Sequence, residues 1–222
     1  MESSEPMQYT SISADQFAQL DGLDDWRVVV NAIHATFRAG TFPAATAFAS
    51  AIATIAEDAA HHPDIDIRYP DRVHVVLTTH FTGGLTTIDV DVARQISAVA
   101  KAGEMASAPT GVQGVEIAID TTHPDQIRPF WAAVLGYKEV DGALVDPLRI
   151  GPPLWFQQMD MDRVGRGRFH LDVSVADDAA QDRIAAALAA GGTMVSDKYA
   201  KSWWILADAD GNEACVCTWQ DR

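Results

Sequence analysis

This 222-residue sequence is poor in cysteine, and the positions of its two thiols limit what they can do. Cys215 and Cys217 are two residues apart, so in a strand both would point to the same face, where the geometry does not suit an ordinary disulfide. A metal site at this pair would need two further ligands nearby. We therefore expect two reduced, packed thiols in a reducing compartment.

Positive charge and long apolar runs are also scarce. The chain has 16 Lys and Arg against 31 Asp and Glu, which gives a formal net charge of -15. Such a surface repels phosphate backbones and anionic lipids, so we expect neither nucleic acid nor a membrane as a partner. The first ten residues lack the basic and apolar regions of a signal peptide, and no apolar run approaches the roughly 18 residues of a membrane span. These absences predict a cytoplasmic protein.

The composition is sufficient for a globular core, since 48% of the residues are hydrophobic and 21% are charged. Length alone does not decide between one large domain and two small ones. Residues 103–113 (GEMASAPTGVQ) are small and polar and contain Pro and Gly, as is typical of a linker. We predict a first domain over residues 1–104, a linker over 105–113 and a second domain over 114–222.

The hydrophobic pattern of the first half predicts helices packed on one face of an antiparallel sheet, an α+β fold. Alternating apolar residues indicate strands, whereas apolar residues recurring every three or four positions indicate helices. Thr41 can cap the first long helix, and Pro63 prevents its continuation. The expected elements are a short helix at 15–23, a hairpin at 26–38 with its turn at Asn31, a helix from 42 to about 60, strands at 64–69 and 72–80, and a helix ending near 102.

Four of the seven histidines lie within twenty residues, and three of them, His61, His62 and His80, lie at the predicted ends of the helix and strands. Imidazole titrates near neutral pH, so a histidine cluster can hold a proton donor and a proton acceptor together. Asp89 fits either a capping box with Thr86 or a carboxylate that orients a catalytic histidine. The pattern predicts a site for acid–base chemistry. His74 is interpreted as a surface strand residue, and Glu57 as a solvated helix residue that could also border the site.

The residues around these histidines resemble the signature of the pterin-4a-carbinolamine dehydratase family over roughly residues 10–102. The anchors occur in a fixed order, which makes the motif more specific than any single one of them. They are Leu20, Trp26, His61-His62-Pro63, Tyr69, Thr79-His80, Gly83-Gly84-Leu85-Thr86 and Asp89.

The resemblance implies a hydro-lyase that eliminates water from 4a-hydroxytetrahydrobiopterin to give the quinonoid dihydropterin, without a cofactor or metal. In resembling enzymes, the counterparts of His61 and His80 are the acid–base residues, and that of His62 positions the substrate. Pro63, Thr79 and Asp89 are the further residues that we assign to substrate binding. Because family members are usually oligomeric, a homo-oligomer is also expected.

From residue 115 the sequence pattern predicts a unit of one strand, one helix and further strands. The same unit is predicted a second time in the rest of the chain. The motifs Phe130–Gly136, His170-Leu171-Asp172 and Asp208–Glu213 resemble glyoxalase-like members of the vicinal oxygen chelate superfamily. The resemblance implies paired βαβββ modules. Six aromatic residues could build the core or line a cleft for a second small ligand, namely Trp131, Trp155, Phe156, Trp203, Trp204 and Trp219.

Metal-using members of that superfamily place ligands on the first and last strands of each repeat. The matching positions here are Glu116, Gln157 or Gln158, His170 and Cys215. Because a cysteine replaces the carboxylate usual in the final strand, we expect no metal in this half.

Two other functions stay open. The second half could sequester a small ligand while the first half serves to dimerise, or the second half could be a metal-dependent lyase or oxygenase. The presence of His61, His62 and His80 together favours catalysis in the first half.

Overall fold

The structure is a computed structural model that describes residues 9–160, 169–207 and 213–221, except for the side chains of Phe130, Ala133 and Val134. Contacts divide the chain into two compact units, the first ending at Val112 and the second beginning at Gln113. Among the described helices, none has the length and apolarity that crossing a membrane requires. The Asp208–Glu213 motif lies largely outside the described residues.

The first unit is an antiparallel sheet with helices on one face, which confirms the predicted α+β class. Its strand order is β1-β2-β4-β3, and β5 pairs with β2 beside β1. The hairpin turns at Val30-Asn31, as predicted. The elements are α1 (Ala14–Ala18), β1 (Arg27–Val29), β2 (Ala32–Arg38), α2 (Phe42–Asp58), β3 (Asp64–Arg68), β4 (Arg72–Leu77), α3 (Thr87–Ala102) and β5 (Ala106–Ser107).

Strand alternation determines which face of this sheet is covered. On β2, Ile33, Ala35 and Phe37 are buried, and their partners on β4 are apolar too. Helix α2 contacts β3, β4 and α3, and it presents a buried stripe at three- and four-residue spacing. The core therefore lies between the helices and this face, and its members include Ile33, Ala35, Phe37, Phe48, Ile52, Val73, Val75, Leu77, Val92 and Ile96.

Three sequence predictions for this unit differ from the structure. Helix α1 ends at Ala18, because Gly22 with φ of 77° belongs to a turn. The segment expected as a linker carries β5, and the Ala108 N–H donates to the Thr36 carbonyl, so this stretch is part of the sheet. Tyr69, expected on a strand face, lies in the turn after β3 and is 90% exposed.

Helix α2 ends in a Schellman motif that delivers the chain to the histidine pair. The His61 N–H donates to the Ala56 carbonyl at 3.0 Å, and the Ala60 N–H donates to the Glu57 carbonyl at 3.1 Å. Ala60 occupies the left-handed position with φ of 48°, where glycine is usual because a Cβ is disfavoured there. His61 is therefore fixed by the backbone immediately after the helix.

Replacing Ala60 with glycine should relieve this backbone strain. We expect Ala60→Gly to raise the free energy of unfolding of the first unit by about 1 kcal/mol. Ala59→Gly is the matched control: Ala59 has right-handed helical geometry with φ of -86°, so glycine there should destabilise by roughly 0.5–1 kcal/mol. Amide hydrogen exchange of α2 and β4 measures the change in stability of the first unit in each variant. If both variants stabilise it, or both destabilise it, the explanation is contradicted.

A histidine pair lies on the sheet face opposite the helices, where His74, interpreted as a surface strand residue, is half-buried on β4 and paired with His34. His34 Nδ1 and His74 Nε2 are 3.3 Å apart, and His74 Nδ1 is 2.9 Å from the Thr36 hydroxyl. Burial, then the neighbouring His74, lower the pKa of His34 from 6.5 to about 3, although a hydrogen bond to the Val29 carbonyl opposes the shift. Burial also lowers the pKa of His74.

The His34 pKa predicts a stability loss in mild acid. Because the unfolded chain binds this proton below pH 6.5 and the folded chain only near pH 3, stability falls as the pH decreases through that window. We expect the free energy of unfolding to drop by about 1–2 kcal/mol from this group between pH 7 and pH 5. Urea unfolding at both pH values should show that His34→Leu loses less unfolding free energy between pH 7 and pH 5 than the wild type does. The control His123→Leu, at an exposed position, should lose as much as the wild type.

The second unit is an eight-stranded sheet in the order β11-β12-β13-β10-β6-β9-β8-β7. The predicted repeat of strand, helix and strands is confirmed. Each helix packs on its own half of the sheet: α4 with Ile119, Leu144 and Leu154, and α5 with Trp204 and Val216. The elements are β6 (Gln113–Thr121), α4 (Pro124–Leu135), β7 (Lys138–Val140), β8 (Ala143–Val145), β9 (Leu154–Gln158), β10 (Phe169–Val175), α5 (Ala180–Ala189), β11 (Thr193–Ser196), β12 (Trp203–Ala207) and β13 (Glu213–Cys217).

Candidate active site

His61 is buried and bound to a carboxylate. Its side chain follows the Schellman turn of α2, and the residue is 8% exposed. The Nε2 atom lies 2.7 Å from Asp89 Oδ1 on α3, a short distance typical of a charge-assisted hydrogen bond. One ring nitrogen of His61 is thus held in a fixed direction by an element 28 residues further along the chain.

Asp89 is the centre of this arrangement and is 0% exposed. Its Oδ2 accepts from the Thr86 N–H at 2.8 Å and from the Thr79 hydroxyl at 2.8 Å, while Oδ1 faces His61. The Thr86 and Asp89 side chains form the capping box that starts α3, as predicted. Asp89 therefore caps α3 and also holds the His61 ring in place.

The sheet explains why distant histidines come to one end of the fold. β3 and β4 pair antiparallel with Asp64 opposite Val76, so the residues just before β3 and just after β4 leave the sheet at the same edge. Asp89 contacts His61 on one side and Thr79 on the other. His80 is the next residue after Thr79 and is exposed at the beginning of a turn that closes with the Thr79–Gly84 bridge.

The other predicted site residues divide into exposed and buried ones. His62 is exposed, and its Nε2 lies 3.0 Å from Oε1 of Glu57, which is a solvated helix residue and also contacts His62. Pro63 is half-buried between His62 and β3. Thr79, by contrast, is 1% exposed and donates a hydrogen bond to Asp89, which is fully buried. Thr79 and Asp89, both assigned to substrate binding, are therefore core residues that hold His61. The end of β4 and the cap of α3 place their side chains in the core.

These contacts dictate the protonation pattern around His61. Asp89 Oδ2 accepts from an N–H and a hydroxyl, as an ionised carboxylate does, so His61 Nε2 is the donor to Oδ1. Nδ1 of the neutral ring then carries the lone pair. Within the described residues, none donates to or accepts from this Nδ1. An imidazole held in this way can take a proton from a bound molecule and return it.

Comparison with known proteins identifies the first unit. A family profile described as pterin 4 alpha carbinolamine dehydratase matches residues 10–99. A protein of Chloroflexus aurantiacus named "Putative pterin-4-alpha-carbinolamine dehydratase" is 50% identical over 86 residues, which are 39% of this chain and 88% of that protein. This chain belongs to the pterin-4a-carbinolamine dehydratase family. The predicted resemblance of the first half is thus confirmed.

The dehydratase-family region is followed by a match to a second profile. A glyoxalase-like domain profile covers residues 116–217, which confirms the predicted fusion. A solved transcriptional coactivator/pterin dehydratase from Brucella melitensis is 33% identical and covers 40% of this chain and 97% of its own, with a TM-score of 0.38. A glyoxalase/bleomycin resistance protein/dioxygenase superfamily member from Vibrio splendidus is 15% identical and covers 48% and 99%, with a TM-score of 0.31.

In the glyoxalase-like domain, polar groups collect on the sheet face opposite α4 and α5. Ligand atoms of His170, Asp172 and Cys215 all lie within 4.8 Å of one another. Hydrogen bonding with Cys217, then burial and the nearby Asp172 carboxylate, raise the pKa of the Cys215 thiol. Trp155 meets the His170 ring edge-on at 6.2 Å on this face, whereas Trp204 belongs to the core against α5. Trp204 therefore has the core role, and Trp155 lies beside the polar group on the opposite face.

The group of His170, Asp172 and Cys215 differs from the four metal positions that the resemblance implies. Two of them, His170 and Cys215, are members of it, and Glu116 is not. Gln158 is exposed, and its amide donates to the Thr122 and Met159 carbonyls. Sequence reasoning missed Asp172 as a member, although its spacing of two from His170 on a strand was a usable signal.

Proposed function

We propose that this chain is a pterin-4a-carbinolamine dehydratase, a hydro-lyase acting on a 4a-hydroxytetrahydropterin. The observation that carries the proposal is the buried Asp89–His61 contact beside the strand end that leads to His80. Membership of the dehydratase family supports the same reaction. A homo-oligomer, expected from the resemblance, stays a prediction that sedimentation of the full chain would test.

The reaction requires one proton to be given and one to be taken. The C4a–O bond breaks as the departing hydroxyl receives a proton and leaves as water. The N5–H proton is accepted by a base, and the electron pair of that bond forms the C4a=N5 double bond of the quinonoid dihydropterin. No electrons enter or leave the system, so two imidazoles in opposite protonation states meet the chemical demand.

His61 is suited to the role of proton acceptor. Asp89 fixes the Nε2–H, which leaves Nδ1 as the acceptor in the neutral ring and holds the ring in one orientation. The same carboxylate stabilises the imidazolium that forms once Nδ1 takes a proton. We assign His61 as the residue that accepts the N5 proton.

His80 and His62 have exposed positions that suit contact with substrate. His80 follows the buried Thr79 and is assigned as the proton donor to the leaving hydroxyl. His62, paired with Glu57 at 3.0 Å, is assigned to positioning the pterin ring together with Pro63. Replacing His62 should therefore raise KM more than it lowers kcat.

A direct rate measurement tests the proposal. A 4a-hydroxytetrahydropterin is generated chemically, and its conversion to the quinonoid product is followed by stopped-flow absorbance with and without the purified full chain. We expect the chain to accelerate dehydration above the spontaneous rate, and the double variant His61→Gln/His80→Ala to abolish the acceleration. A wild-type rate equal to the spontaneous rate at saturating protein would refute the proposal.

A further inference from the structure

We propose that His170, Asp172 and Cys215 form a three-ligand site for a thiophilic divalent cation such as Zn²⁺, built within the second half of the glyoxalase-like domain. The site uses a ligand set different from the four positions that the resemblance implies, since Asp172 takes part and Glu116 does not. It is independent of the pterin chemistry proposed for the first unit.

The backbone brings these three side chains together. His170 and Asp172 are two residues apart on β10 and so share one face of the sheet. Cys215 on β13 is the direct parallel-strand partner of Asp172 and points to the same face. Because all three are on regular strands of one sheet, the separation of the ligand atoms is set by the fold and not by a flexible loop.

The distances suit a common ion better than direct hydrogen bonds. His170 Nε2 and Asp172 Oδ1 are 3.5 Å apart, beyond the 3.2 Å or so of a good hydrogen bond. Two ligands of one tetrahedral zinc ion are separated by roughly 3.3–3.6 Å, given metal–ligand bonds of about 2.0–2.3 Å. The third donor, Cys215 Sγ, lies within 4.8 Å of the other two, so small side-chain rotations complete the triangle.

Two further groups support a ligand at this position. Ser174, 2% exposed and two residues after Asp172 on the same face, has a hydroxyl with no hydrogen-bond partner among the described residues. A buried hydroxyl without a partner is costly unless something else satisfies it, such as a water held by a bound ion. On the other side of the imidazole, Asp120 Oδ1 lies 3.8 Å from His170 Nδ1, too far for a good hydrogen bond but close enough to add negative charge beside the ligand set.

The donor types identify the class of ion. Thiolate sulfur, imidazole nitrogen and one carboxylate oxygen favour Zn²⁺ or Co²⁺ over Mg²⁺ and Ca²⁺, which prefer oxygen ligands alone. Three protein ligands leave one tetrahedral position for water or a small molecule, as in catalytic and not in structural zinc sites.

Cobalt provides a readout that does not depend on any activity. The full chain, stripped of metal with a chelator, is titrated with Co²⁺ while absorbance is recorded. We expect one ion per chain with a thiolate-to-cobalt charge-transfer band in the near ultraviolet, and displacement of that band by Zn²⁺. Since both cysteines belong to the second unit, histidines of the first unit cannot produce this band. Its absence in the wild-type chain overturns the proposal.

Variants separate this ligand set from its alternatives. Cys215→Ser should eliminate the band, and Asp172→Asn, a nearly isosteric change, should weaken Co²⁺ binding at least 10-fold. Asp120→Asn should weaken it by a smaller factor, because this carboxylate adds negative charge near His170 without binding the ion. Glu116→Gln is the control and should keep both band and affinity, and Cys217→Ser, which changes a hydrogen-bond partner of Cys215, should keep the band. Loss of binding in Glu116→Gln, or a persistent band in Cys215→Ser, would refute the assigned set. Dehydratase turnover should be unaffected in all five.

Discussion

His61→Gln is expected to lower kcat for dehydration by roughly 10²- to 10⁴-fold, the contribution of a positioned acid or base. Glutamine can still donate an amide N–H to Asp89, which spares the buried carboxylate from losing its partner, but it cannot exchange a proton with substrate. His80→Ala should have a loss of the same order, because the second proton transfer then relies on water. Stopped-flow dehydration assays at saturating substrate measure both effects.

A control substitution shows whether the loss of kcat is specific to the candidate site or follows from replacing any histidine of the first unit. His74→Gln changes a histidine on the sheet face opposite the helices and should leave kcat within about two-fold, while circular dichroism checks the fold of each variant. Near-normal turnover in both His61→Gln and His80→Ala would remove these residues from the mechanism, whatever the family match.

Asp89→Asn should produce the second large effect through the tautomer of His61. The asparagine oxygen can replace Oδ2 and keep accepting from Thr86 and Thr79, so its amide N–H₂ must face the imidazole. Two donors then oppose each other, and the ring is forced to move its proton to Nδ1, where the base is needed. For a buried Asp that holds a histidine in this way, such a change costs on the order of 10²–10⁴ in kcat.

Asp89 is a positioning residue, so its test needs a readout other than rate. Nitrogen-15 chemical shifts of the His61 ring should report protonated Nε2 in the wild type and protonated Nδ1 in Asp89→Asn. Asp91→Asn, the same change on the exposed side of α3, is the matched control and should alter neither shifts nor kcat. An unchanged His61 tautomer in Asp89→Asn would contradict the explanation.

Much of the fold could be predicted because local signals agreed with one another. The Thr41 cap, the spacing of Phe48 and Ile52, and Pro63 together locate α2 within two residues. The composition of residues 103–113 misled the prediction, since two residues are enough for β5 to pair with β2 and small polar side chains do not prevent it. Backbone pairing of so short an edge strand leaves no periodicity to detect.

The sequence suggested residues for the candidate site but did not indicate their arrangement. The order of His61, His62 and His80 indicated acid–base chemistry, whereas the burial of Thr79 depends on α3 packing over the strand end. In the second unit, Asp172 becomes the neighbour of Cys215 only through a parallel pairing of strands 43 positions apart. Contacts of this kind depend on topology, which no short sequence window contains.

The capping box of α3 limits how this protein could be stabilised by engineering. Removing a reactive group from an active site often makes an enzyme more robust, since such groups are commonly kept under strain. Asp89 allows no such trade-off, because the carboxylate that secures the imidazole also begins a core helix. A search for heat-tolerant variants should therefore retain this residue even when activity is not selected.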